Sequence, residues 1–278
     1  MTEIGDKNLP AVGFFDEDGT PYGIKNIDGK PRISSMPYLY DIAEGNIADH
    51  EIGYRLGFTP AMTTAESDVW SYGGKYTFPT VAGTLSMVSS SAADASAGYG
   101  ARTVKVEYLD ENYARQFETV TLNGVTPVTM TGSAIRVNGM NVLTAGSAAQ
   151  ASGSISLFKN AAGSVVHGYI TPGYTAARSS VYTVPAGFNL YITTVDMSFG
   201  YAANQTHYAR LYLRIKQLNK VLSTLFYPFV EAVVANSVAT IALPVPIKVV
   251  EKVDFKVSGI ASATGTASAV LRGWMENS

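Results

Sequence analysis

From about Ala101 to its end the sequence reads as one β-strand after another, and that run constrains the fold more than any other feature. The segments GARTVKVEYLD, ETVTLNG, GSISLF, SVVHGYI, VYTVPAG, LYITTVDMSF, HYARLYLRIK and VDFKVSG alternate, or nearly alternate, apolar and polar residues. Clusters of Gly, Asn, Asp, Ser or Pro separate them. A period of two bounded by turn residues is the pattern of half-buried antiparallel strands. From Thr103 onward about eleven or twelve strands follow one another at the spacing of sandwiches and barrels, and no βαβ pattern interrupts them. The expected fold is all-β, an antiparallel β-sandwich with jelly-roll-like connections. The body is expected over 64–278, as one unit or as two packed subdomains, 64–175 and 176–278.

Residues 1–63 read differently, as an N-terminal extended arm or small β-meander with a linker. Two Asp-Gly-x-Pro turns occur there, Asp18-Gly19-Thr20-Pro21 and Asp28-Gly29-Lys30-Pro31. Asp-Gly suits hairpin turns because Gly accepts positive φ. The segment carries Phe14, Phe15, Tyr22, Tyr38 and Tyr40, more aromatic surface than so short a piece encloses alone. Those rings pack on the chain's own body or on another chain; Phe14, Phe15, Tyr38 and Tyr40 are the assembly-interface candidates. Residues 39–65 show no sustained period, and a short helical turn is expected near Asn46 to Glu51.

Three small-residue stretches stand out. Residues 80–100 read as a mobile loop or a small-residue packing surface, Thr144 to Ser154 as a long loop, and Ala261 to Ala269 as a broad turn into the last strand. One segment has a helical alternative: Leu218, Val221, Leu222, Leu225 and Phe229 are spaced like a helix face. Leu211, Leu213 and Ile215 alternate strictly just before them, and Pro228 disturbs a helix interior. A hairpin turning at Leu218-Asn219 is the preferred reading.

Composition narrows the function. Of 278 residues 46% are apolar, enough for a substantial core, and only 15% are charged, well under the usual quarter. A bland surface of this kind suits close packing against other subunits. The formal net charge is −2, and no run of Lys or Arg tracks a phosphate backbone, so no nucleic-acid partner is expected. The polar start MTEIGDKNLP does not read as a secretory signal peptide. The most apolar stretch, Leu225 to Val250, is interrupted by Glu231, Asn236, Pro244, Pro246 and Lys248, and is not a membrane span. The absence of cysteine excludes a disulfide scaffold and cysteine metal sites.

Motifs of catalysis are scarce. Asp16-Glu17-Asp18-Gly19 opens like a calcium loop, but its twelfth position is Ile27 rather than a bidentate acid. Gly98-Tyr99-Gly100 begins a glycine pattern that Thr103 breaks. No phosphate-binding loop, serine-nucleophile elbow or zinc-protease motif is present. His50, His167 and His207 lie far apart in sequence; His167 and His207 sit within strand-like segments and read as surface or structural residues. Asp110, Glu111 and Asp254 are the acids weighed for glycoside hydrolysis; the first two read better as a solvated turn. Asn204-Gln205-Thr206 matches a glycosylation acceptor. Seventeen tyrosines with Trp70 and Trp274 supply material for sugar stacking, although strands and subunit contacts use aromatics more often. No catalytic residue, cofactor or metal site is expected.

The stretch from Asp68 to Val128, beginning DVWSYGGKYTFPTVAG, resembles a recurrent segment of tailed-bacteriophage virion structural proteins. The upstream PYLYDIAEGNIADHEIGYRLGF and the later VYTVPAG are similar to further shared elements. The resemblance covers roughly residues 37 to 190, and the rest more loosely. It implies a non-enzymatic component of a bacteriophage particle, made in the host cytoplasm and incorporated into the virion. Decoration or cementing of the capsid exterior is the leading role. The partners implied are copies of the same chain, with a trimer as first guess, and other virion proteins such as the major capsid protein. The alternative is a tail- or fibre-associated module that binds a host-surface glycan. The resemblance carries no functional residue with it.

Overall fold

In the computed structural model of the chain, residues 26–27, 30–31, 38–159, 165–201 and 207–278 are described. These fold as antiparallel β-structure almost throughout, as the alternation predicts. β1 (Asn26–Ile27) and β2 (Lys30–Pro31) pair on either side of the second Asp-Gly in the sequence. α1 (Tyr38–Ala43) is the only α-helix among the described residues. Its buried Ile42 secures it where it packs against β3 (His50–Met62). The helical turn expected near Asn46 to Glu51 is therefore displaced upstream, and extended backbone of β3 begins at His50. β4 (Ser67–Asp68) follows.

The next seven strands make one sandwich: β5 (Gly83–Ser89), β6 (Ala101–Leu109), β7 (Arg115–Thr121), β8 (Val128–Ala134), β9 (Arg136–Ala145), β10 (Ile155–Lys159) and β11 (Val166–Ile170). One of its sheets runs β11-β10-β5-β8 and the other β7-β6-β9. Leu85, Met87, Val104, Val106, Met130, Met140, Ile155 and Leu157 fill the space between them.

A second sandwich follows, from β12 (Tyr182–Thr183), β13 (Phe188–Gly200), β14 (Ala209–Leu218), β15 (Val221–Val234), β16 (Ser237–Val249), β17 (Asp254–Ala261) and β18 (Gly265–Asn277). One sheet is β12-β17-β14-β15 with β4 added to β17; the other is β16-β13-β18-β3. The alternation is physical here: Ala209, Leu211, Leu213 and Ile215 of β14 are all fully buried, each larger side chain contributing roughly 1.5–3 kcal/mol on leaving water. This sandwich thus takes β3 and β4 from before the first sandwich and the rest from after it. Trp70, Tyr76, Val166 and Val181 form a small third cluster.

β3 explains why residues 39–65 lack a readable period. Ile52, Tyr54 and Leu56 do alternate, but they are exposed, while the opposite row is Gly53, Arg55, Gly57 and Thr59. The backbone comes close on that row: a Cβ on Gly57 would lie 2.5 Å from the Val69 carbonyl oxygen. The strand is held along its length by β18, from Glu51 opposite Met275 to Met62 opposite Gly265.

The hairpin alternative wins over the helix at 209–234, with its turn one residue later than expected. Asn219 and Lys220 have φ of 50° and 64°, the signature of a two-residue type I′ turn. Residues 80–100 are not a loose loop: β5 occupies their first half. The last broad turn is short as well, since β18 already begins at Gly265.

Candidate functional site

Four regions of the molecule concentrate its polar chemistry or its exposed apolar surface. The first is the far end of the first sandwich. Asp94, fully buried, sits in the run SAADASAGYG. Its carboxylate accepts hydrogen bonds from the Ser89 hydroxyl at 2.6 Å and from the backbone N–H of Ala101 at 2.7 Å, Ser152 at 2.9 Å and Gly153 at 2.8 Å. One acid therefore ties two small-residue stretches together. Gly100 has to be glycine, because a Cβ there would fall on Asp94 Oδ1. The stretch from Thr144 to Ser154, expected as a long loop, is docked against the first loop by further bonds from Gly146 N–H to Gly100 C=O and from Ala148 N–H to Tyr99 C=O.

The second region joins the sandwiches. Arg136 of β9 grips Asp254 of β17 with both arms, Nε to Oδ1 at 2.7 Å and Nη2 to Oδ2 at 2.9 Å. The Thr183 hydroxyl donates to Oδ1 at 2.6 Å, and Lys216 Nζ lies 3.0 Å from Oδ2. Burial pushes the Asp254 pKa up, but the hydrogen bonds and charge of Arg136, with Thr183 and Lys216, outweigh it and hold the carboxyl below its ordinary value. Asn138 adds a two-way link to the Thr183 backbone, donating at 2.9 Å and accepting at 3.1 Å. A buried pair with every oxygen engaged specifies how two bodies dock.

Hydrogen bonds account for two of the three acids weighed as catalytic. Asp254 is committed to the junction. Asp110 closes its own turn, accepting from the N–H of Asn112 at 2.9 Å and of Ala114 at 3.0 Å and from the Gln116 amide at 3.2 Å. The tryptophans are not open stacking platforms. Trp70 is buried and donates to the Gly74 carbonyl at 3.1 Å; Trp274 stacks flat on Tyr191, centroids 4.9 Å apart. His50 lies 3.2 Å from Glu276 and His207 lies 3.2 Å from the Ser262 hydroxyl. Among the described residues no three His, Cys, Asp or Glu side chains are grouped to hold a metal ion.

The third region is a cleft of about 260 Å³ between the sandwiches. β3 lines one wall with Tyr54, Arg55 and Leu56, and β6 and β9 supply Glu107 and Asn141; His167, Tyr169 and Arg178 complete it. The Arg178 guanidinium lies between the rings of Phe58 and Tyr174, at 4.1 and 3.8 Å from their centroids. Its Nε is buried without a hydrogen-bond partner, as are Glu107 Oε1 and His167 Nδ1. The nearest cation to Glu107 Oε1 is Arg55, at 3.9 Å. Burial, reinforced by the charges of Lys159 and Arg136, lowers the His167 pKa to about 4, so its ring is neutral at pH 7.

The fourth region is apolar. β15 and β16 are the outer strands of their two sheets and touch each other. Along β15 the residues Val221, Leu225, Phe229 and Val233 are all exposed, by 65%, 64%, 38% and 61%. They recur every fourth position, but two register shifts against β14 interrupt the alternation, one at Phe229 between the partners Pro228 and Val230 and one over residues 223–226 between the partners Leu222 and Tyr227, so they are exposed positions along an outer strand rather than one face of it. Leu218 and Leu222 at the hairpin tip and Val238 and Val245 on β16 are exposed as well. Pro244 and Pro246 fall within the bulge between Ala242, opposite Thr194, and Ile247, opposite Ile192; prolines are tolerated at such breaks because no ladder N–H is needed.

Of the four sequence-stated interface candidates, Phe14 and Phe15 lie outside the described residues. Tyr38 begins α1, and Tyr40 projects from it 48% exposed. The β15 row was visible in the sequence only as the helix-like spacing of Leu218 to Phe229. No protein-family model matches this chain, and no curated protein sequence does. Among the described residues no helix is long and apolar enough to cross a membrane.

Proposed function

We propose that this chain is a non-enzymatic structural component of a tailed-bacteriophage particle, decorating or cementing the capsid exterior and associating with copies of itself. The observation that carries the assembly part is the row Val221, Leu225, Phe229 and Val233 on an outer strand. Apolar side chains this exposed on a long, open sheet edge invite pairing with another chain. A second copy is the partner that fits, because the same edge on two subunits closes into a symmetric pair and leaves no open edge behind. The virion setting is drawn from the resemblance of residues 37 to 190 to phage structural proteins. Tyr40, exposed on a helix that Ile42 anchors, supports a further contact from the N-terminal side. Pairing of this edge with itself makes a two-fold dimer, whereas the trimer first guessed requires the edge to meet a different surface of its neighbour, so the stoichiometry distinguishes the two modes.

The test is sedimentation of the full chain at micromolar concentration. Wild type is expected well above the 29.5 kDa of one chain. Leu225→Lys with Phe229→Lys should return it to monomer with an unchanged circular dichroism spectrum. A monomeric wild type, or an oligomer indifferent to both lysines, rejects this edge as the interface. Incorporation is tested separately, by deleting residues 1–36, a cut that leaves α1 whole, and asking whether the shortened chain still joins particles.

A further inference from the structure

We propose that the cleft between the sandwiches binds the carboxylate-bearing ring of an acidic saccharide, with Arg178 receiving the carboxylate and Glu107 a ring hydroxyl. The proposal is independent of the assembly reading, because the β15 row is not part of the cleft's lining.

Arg178 is the starting point. Its guanidinium carbon lies over the Phe58 and Tyr174 rings, 4.1 and 3.8 Å from their centroids, and no carboxylate pairs with it among the described residues. Its Nε is buried and unbonded. A buried donor left unmade costs free energy, so the side chain is held ready at a standing cost that a ligand relieves. A guanidinium fork matches a carboxylate with two parallel hydrogen bonds. The cleft also holds a buried acceptor without a hydrogen bond, Glu107 Oε1, which Arg55 approaches only to 3.9 Å and which can accept an O–H from the ligand. The ligand must therefore bring an anionic group and hydroxyl donors close together. A uronic or sialic acid ring carries both on one frame. Tyr54, half-exposed, and Tyr169 present ring surface to the apolar face of such a sugar. Asn141 supplies an exposed amide at the rim. The volume of about 260 Å³ lies just below the ~300–1,000 Å³ of drug-sized clefts, which fits one ring with its substituents. A neutral sugar would leave Arg178 uncompensated. An acidic peptide would satisfy Arg178 but brings no hydroxyls beside its carboxylate.

Saturation-transfer NMR on the full chain tests this with D-glucuronate, N-acetylneuraminate, D-glucose and the dipeptide Gly-Glu. At least one acidic sugar should bind at least about tenfold more tightly than glucose. Arg178→Met keeps the apolar stem between the two rings and should weaken that sugar by at least about tenfold, with the melting temperature little changed. Glu107→Gln is the second variant, expected to weaken it by a few fold and to leave the anion preference intact. Acidic sugars binding no better than glucose, Gly-Glu binding more tightly than either sugar, or sugar affinity unchanged in both variants would each overturn the assignment. Oligomeric state should be the same in both variants and in wild type.

Discussion

The two sandwiches end in opposite ways. At the far end of the first, small-residue loops are drawn inward around Asp94, and four donors converge on one carboxylate. At the far end of the second, the β14–β15 hairpin carries Leu218, Val221, Leu222 and Leu225 into solvent, each at least half exposed. The loops are poor in apolar surface and complete their hydrogen bonds internally. In the hairpin, β15 pairs with β14 through a ladder broken at two register shifts and leaves its apolar surface unpartnered on an end strand. A chain that satisfies its buried polar groups so fully at one end has no folding need for an apolar row at the other. The contrast assigns folding to the first region and association to the second.

The most direct way to break the contrast is Asp94→Ala. Four donors would lose their acceptor around a side chain that is fully buried. Hydrogen bonds to a charged group contribute ~1.5–3 kcal/mol each and do not add fully, so a loss on the order of 5 kcal/mol is expected in urea unfolding. Association of whatever folded protein remains should be unaffected. A loss under about 1.5 kcal/mol would mean that the loops are held by their backbone bonds alone.

Asp254→Ala should cost less, about 3–5 kcal/mol, through the unpaired Arg136 it leaves buried. The pair Asp254→Leu with Arg136→Met should cost less again, because neither charge is then stranded. The pH dependence has a definite sign. The folded pKa of Asp254 is depressed, so its contribution is complete above the unfolded value of ~3.9 and fades as pH falls through the lower folded value. The stability gap between wild type and Asp254→Ala should accordingly be flat from pH 7 to 5 and narrow below about pH 4. A gap that widens on acidification would contradict the ion-pair account of the junction.

The legible parts of the fold were those where apolar residues face inward at every second position, as in β14 with Leu211, Leu213 and Ile215. β3 was illegible for the converse reason: its apolar row faces out and its inner row is glycine and arginine, so the pattern carries no burial signal. β15 shows the same ambiguity from another side, since two register shifts break its strand alternation and its exposed apolar residues fall at a spacing that also suits one face of a helix. Asp94 did leave a trace, as the single charge in a run of Ser, Ala and Gly. The cleft left none. Glu107, His167 and Arg178 come from separate segments, and only the docking of two sandwiches brings them to one space.

The smallest expected effect sharpens the association side. Lys220 holds a left-handed backbone, φ 64°, at the second turn position of the β14–β15 hairpin. A side chain there carries steric strain of ~1–2 kcal/mol that glycine avoids, partly offset by the greater freedom of glycine in the unfolded chain. Lys220→Gly, which makes the turn Asn-Gly, should therefore stabilise the protein by about 0.5–1 kcal/mol in thermal unfolding. The apolar row is untouched, so sedimentation should be that of wild type. If Lys220→Gly instead abolished association, the tip and its charge, rather than Val221, Leu225, Phe229 and Val233, would be making the contact. A stabilised monomer would thus move the interface from the side of the hairpin to its end.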